Sequence, residues 1–194
     1  MTTQFRGVIP PVVTPLTADG EVDKVSFARS LNRMIDAGVD GLFTLGSSGE
    51  VAFSTDARRR EIIQTVMEIV DGRVPVFVGC IDTETNRVIE HAKEAKELGA
   101  SAIVATCPFY ALGGLPEIER HFRLIHEAVP ELPLFAYDIP VCVHTKPRPH
   151  HAGASGQGRR AAGLKDSSGR RRQLPLAGAR KRGRRSSAAA AHRP

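Results

Sequence analysis

A lysine set in a short apolar stretch, Lys165 of "AGLKDSSG", is the residue with the most chemistry to offer. Burial disfavours an ammonium, so more of such a side chain is free amine, and a free amine condenses with a ketone or aldehyde to a Schiff base. Upstream, Gly46, Ser47, Ser48 and Gly49 form a small-residue turn whose backbone N–H groups and hydroxyls suit a carboxylate. Tyr137 in "YDIP" and Tyr110 in "TCPFY" supply phenols that pass protons, and a serine hydroxyl can relay them. Together these parts describe a 2-keto acid held by its carboxylate while lysine attacks its carbonyl. Each part alone has a plainer reading. Gly-Ser-Ser-Gly is also a common surface turn, Tyr137 also reads as a core residue with a satisfied hydroxyl, and Lys165–Asp166 as a solvated pair.

What would bring them together is a repeated unit. "GVIPPVVTPL" is short and β-branched, and "DKVSFARSLNRMIDAG" follows with Val25, Leu31 and Ile35 at helical spacing, Asp23 as cap and Gly38 as stop. The texture recurs in "GLFTLG", "PVFVGC" and "AIVATCP", each followed by a helical stretch, and "PLFAYDIP" is a fifth strand. Continuous apolar strands imply a parallel sheet covered on both faces. Ligands of such sheets sit at the carboxyl ends of the strands, where Thr14, the Gly46–Gly49 turn, Tyr110, Tyr137 and, for a sixth strand, Lys165 all fall. No G-x-G-x-x-G follows the first strand, which argues against a dinucleotide fold. The expected class is α/β, either an open doubly wound sheet or a (β/α)8 barrel of which about five to six units would be present.

The charge is divided. The first 146 residues carry 14 Lys+Arg against 20 Asp+Glu, and the last 48 carry 13 against 1, so the basic balance belongs to the tail. Three cysteines spaced 27 and 35 apart suggest neither a disulfide framework nor a zinc site, and His121 and His126 lie five apart, off one helical face. No metal is expected. With no signal peptide and no membrane-length apolar run in the sequence, a cytoplasmic protein is expected.

"GVIPPVVTPLTADGEVD", "GLFTLGSSGE", "TCPFY", "YDIP" and "GLKDSSG", in that order, resemble the dihydrodipicolinate synthase and N-acetylneuraminate lyase superfamily of pyruvate-type class I aldolases. The resemblance implies Lys165 as the Schiff-base lysine, Tyr137 as the proton shuttle, Ser47 as the relay hydroxyl and Ser48 as a carboxylate partner. It implies that Tyr110 is lent across a dimer interface, hence a homo-oligomer, and that neither metal nor organic cofactor is needed. Dihydrodipicolinate synthases place an arginine shortly after Tyr-x-x-Pro, where this chain has Cys142. A thiol cannot form that bidentate pair with a second carboxylate, so another 2-keto acid or a sugar-acid aldol is the expected substrate.

Residues 1–146 thus read as the N-terminal part of a barrel and 147–194 as a basic tail. The tail has no Val, Ile, Phe, Tyr, Trp, Met or Cys and only three leucines, a composition that predicts disorder. As a hypothesis, the reading frame slips near Lys146, is restored close to Ala162 and slips again after Gly169, leaving 162–169 as an island resembling strand six. Resequenced DNA with no alternative frame encoding apolar strands would sink it. On this reading the chain is truncated and impaired as an enzyme. Two alternatives carry no catalysis: nonspecific binding of nucleic acid or an acidic partner through "GARKRGRR", without aromatic residues to stack on bases, and an inactive barrel fragment. A membrane partner is not expected.

Overall fold

A computed structural model describes residues 5–145 and 162–167. The expectations for the rest of the tail lie outside the described residues. Four long helices and five strands alternate: α1 Lys24–Asp36, β1 Leu42–Thr44, α2 Asp56–Val70, β2 Val76–Gly79, α3 Thr85–Glu97, β3 Ala102–Thr106, α4 Leu115–Ala128 and β4 Leu134–Asp138. A four-residue helix, α5 Pro140–Val143, follows β4, and β5 is Gly163–Asp166. All strands are parallel and lie in sequence order from β1 to β5. This is a half-barrel, the incomplete α/β barrel that the family resemblance implied.

Local chemistry explains the elements. Asp23 caps α1 by accepting from the Ser26 amide at 3.0 Å and the Ser26 hydroxyl at 2.6 Å. Thr55 caps α2 through the Arg58 amide at 3.2 Å. Every residue of β1, β2 and β3 is buried, which requires cover on both faces. Helices cover one face. On the other, Phe5 from the N-terminal segment packs on Phe77 at 4.7 Å and on Phe135 at 6.0 Å between ring centroids.

Two expectations are corrected. "GVIPPVVTPL" is not a full strand but a single parallel bridge of Pro11 to Phe43, held by Val12 N–H to Phe43 O and Phe43 N–H to Pro10 O. Pro10, Pro11 and Pro15 have no N–H to extend the ladder. Val25 is 71% exposed, while Leu31 is buried as expected; Phe27 takes the inward place beside it, flanked by half-buried Met34 and Ile35. Burying Phe27 and Leu31 stabilises the helix against the sheet by about 1.5–3 kcal/mol each.

A polar cluster that the sequence did not reveal ties the loop after β2 to α2 and α3. Buried Asp82 accepts from the Thr83 amide at 2.7 Å and Arg87 Nε at 2.9 Å, and its other oxygen lies 3.1 Å from His91 Nε2. Buried Arg59 donates to the Ile81 carbonyl at 3.0 Å. Burial pushes the Asp82 carboxyl up, but the hydrogen bonds from Arg87, Thr83 and His91 outweigh it and hold the group well below the carboxylate range. Among the described residues, no helix is long and apolar enough to cross a membrane.

His121 is buried on α4, with Nε2 3.0 Å from the Thr106 carbonyl and Nδ1 3.1 Å from Thr85 Oγ1. Burial lowers its pKa from 6.5 to about 4. A depressed histidine stabilises the fold above its unfolded value and loses that contribution as acid forces a proton onto it. The unfolding free energy from denaturant titrations should therefore fall as pH is lowered from about 6.5 to about 4, by as much as about 3 kcal/mol from this residue. The Asp82 contribution is lost only at lower pH, so a His121→Asn variant should show a flatter profile in this window. An unchanged slope in that variant would contradict the assignment.

Candidate active site

The expected site residues collect at the carboxyl ends of the strands. In the β4–β5 ladder Tyr137 pairs with Lys165, and in the β3–β4 ladder Thr106 pairs with Tyr137, so the three lie on one face. Lys165 Nζ stands 3.6 Å from the centroid of the Tyr137 ring and 5.7 Å from that of Phe43, and donates to Ser167 Oγ at 3.2 Å. The Phe43 ring meets Tyr137 edge-on, with centroids 6.3 Å apart. The amine thus lies over the face of the Tyr137 ring, with the Phe43 ring as its second aromatic neighbour.

Tyr137 is buried and Lys165 half-buried. Burial raises the phenol pKa, but hydrogen bonding from Lys165, Ser47 and Ser167 outweighs it, so Tyr137 titrates below the ordinary value of 10. Easier ionisation suits a group that must give up a proton and recover it.

Ser47–Gly49 is one tight 3-10 turn and Val51–Phe53 another. Gly46 O accepts from the Gly49 and Val51 amides at 3.0 and 3.4 Å. Leu45 and Glu50 flank the first turn at φ 54° and 56°, left-handed conformations that cost a side-chain-bearing residue about 1–3 kcal/mol. A Cβ on Gly46 would stand 2.6 Å from the Phe43 ring. Thr14, buried, donates its hydroxyl to the Gly49 carbonyl at 2.9 Å, so in this structure it braces the turn. Ser47 and Ser48 are exposed, open to a ligand. Tyr110 is 94% exposed at φ 73° and faces solvent, so this chain does not itself pack that phenol beside Tyr137.

Phe43 and Ser167 join the site without having been singled out. Both sat inside quoted motifs, "GLFTLG" and "KDSSG"; Phe43 read as a strand apolar residue, and only pairing places it on the Tyr137 side. Cys142 and Val141 are exposed on α5. Among the described residues no group of three His, Cys, Asp or Glu side chains could hold a metal ion.

The sequence profile of the dihydrodipicolinate synthetase family matches residues 4–175. YagE of Escherichia coli K12, whose name proposes a 2-dehydro-3-deoxy-D-gluconate aldolase, is 39% identical over 136 residues, 70% of this chain and 45% of that protein. The 4-hydroxy-tetrahydrodipicolinate synthase of Salinibacter ruber is 35% identical over 136 residues, 70% and 45% of the two chains. The crystal structure of YagE in complex with pyruvate superposes with a TM-score of 0.73 at 36% identity, over 76% of this chain and 49% of that one. That of the Acinetobacter baumannii dihydrodipicolinate synthase with pyruvate gives 0.80 at 28% identity, over 85% and 56%. The chain spans about half the length of the relatives it matches.

The three cysteines provide a check on this arrangement. Burial pushes the Cys80 thiol up to about 12 and the Cys107 thiol up to about 11, while Cys142 is exposed. A thiol reagent at neutral pH should label one cysteine of the native chain, Cys142, and all three in denaturant. Rapid native labelling of Cys80 would contradict the packing around β2.

Proposed function

The chain belongs to the dihydrodipicolinate synthetase family, and from that premise we propose that it is a Schiff-base-forming lyase or aldolase acting on pyruvate or a related 2-keto acid. The observation that carries the proposal is the Lys165 amine 3.6 Å above the ring of a phenol that titrates low. Neutral Lys165 attacks the substrate C2 carbonyl, forming the C–N bond; the carbonyl oxygen leaves as water after two proton transfers, and the product is an iminium. That iminium is the electron sink for removing a C3 proton or for making or breaking the C3–C4 bond, so the reaction needs neither metal nor organic cofactor.

Tyr137 is assigned the proton transfers, with Ser47 as its relay. Ser48 and the backbone of Gly46 and Gly49 receive the carboxylate, and Thr14 keeps the turn in shape. Tyr110, exposed in one chain, is assigned to a second copy's relay, which makes the working unit a homo-oligomer. Cys142 leaves the acceptor end of the site without a guanidinium, which favours an aldehyde lacking a second carboxylate over the dihydrodipicolinate reaction. Lys165 is half-buried and Ser47 exposed, so the iminium is open to hydrolysis back to pyruvate before the carbon–carbon step, and productive turnover is expected to be slow.

Exchange of the pyruvate methyl protons with deuterium, followed by NMR, tests the reading directly. The parent chain should exchange them faster than buffer. Lys165→Arg should abolish the excess, and Tyr137→Phe should reduce it by roughly 10²–10⁴-fold. Exchange that persists in Lys165→Arg would sink the proposal.

A further inference from the structure

The turn that carries Ser47 is held from outside as well as from within. Leu45, 1% exposed and at φ 54°, directs its carbonyl across the carboxyl end of β2. Gly79 ends that strand, and a Cβ built on it would overlap Leu45 O, stand 2.6 Å from Leu45 C and 3.4 Å from Gly46 N. All three are backbone atoms, which cannot swing aside as the Phe43 ring near Gly46 could. The end of β2 is itself fixed, since Cys80 donates to Val104 O at 2.8 Å and Arg59 to Ile81 O at 3.0 Å. Neither the turn nor the strand end has room to retreat.

We propose that Gly79 is a positioning residue of the site: its bare Cα seats the Leu45 carbonyl, and that seat sets the Gly46–Gly49 turn so that Ser47 reaches the Tyr137 phenol. The inference rests on the proposed use of Tyr137 and Ser47 as shuttle and relay, but its geometry does not. An alanine at 79 pushes the Leu45–Gly46 peptide off β2 and carries Ser47 away from Tyr137. Lys165 and Ser167, which reach the phenol from the β5 side, are unaffected.

The near-ultraviolet absorbance of tyrosinate reads this directly. The chain has two tyrosines and no tryptophan, so in a Tyr110→Phe background the titration is that of Tyr137 alone. Gly79→Ala should raise the Tyr137 midpoint by about one pH unit, matching Ser47→Ala, because each removes one hydrogen bond to the ionised form. Val78→Ala, which trims the same strand without entering the seat, should leave the midpoint where it is. A midpoint unmoved by Gly79→Ala while Ser47→Ala moves it overturns the proposal, as does one that Ser47→Ala leaves unmoved. Should Gly79→Ala lose its cooperative melt, the parent chain decides: a nuclear Overhauser contact between a Gly79 Hα and the Gly46 amide supports the seat, and its absence overturns it. A parent chain that exchanges no pyruvate protons but shows these shifts would end the enzymatic reading and leave the seat standing.

Discussion

The pairing of β5 on β4 is the constraint on which the site depends. Four residues of each strand are in register, from Phe135 with Gly163 to Asp138 with Asp166, and the ladder is prolonged by Ala162 N–H to Leu134 O and Ser167 N–H to Asp138 O. Side chains alternate along a strand, so a slip of one residue would turn Lys165 to the helix side and leave Tyr137 without its amine neighbour. Gly163 packs closely on its partner: a Cβ there would stand 2.6 Å from the Phe135 ring, which would have to turn aside to admit a larger residue.

The remaining polar groups are arranged so that they do not compete with this pair. His121 spends both ring nitrogens on Thr106 and Thr85, and burial keeps it uncharged. The Cys80 and Cys107 thiols are held protonated by burial. Asp82, the most heavily bonded carboxylate at the β2 end, is enclosed by Arg59, Arg87 and His91. Removing one partner from such a cluster costs about 3–5 kcal/mol, whereas the intact cluster adds less than that to stability. Its value is in fixing the loop beside the strand end against which the Ser47 turn rests.

Much of this was legible in the sequence, and the exceptions have physical reasons. Continuous apolar runs located β1 to β4, which are covered on both faces, and period-3.6 hydrophobicity located α1 to α4, which bury one stripe each. The first apolar stretch misled because β-branched residues around Pro10, Pro11 and Pro15 look like a strand, yet cannot donate the bonds of one. Val25 misled because spacing alone does not choose between two overlapping stripes; Phe27 took the inward place. The roles of Phe43 and Gly79 were invisible, since they arise from which residue faces which across neighbouring strands. Asp82, Arg59 and His91 lie 9 to 32 residues apart and show no motif.

Borohydride trapping asks whether Lys165 forms a covalent adduct with pyruvate. The full chain is incubated with pyruvate, reduced, digested and weighed peptide by peptide. A stable adduct of pyruvate is expected on the peptide containing Lys165, formed in the parent chain and absent from Lys165→Arg. An adduct spread over the surface lysines, or none on Lys165 while the fold melts cooperatively, would contradict it.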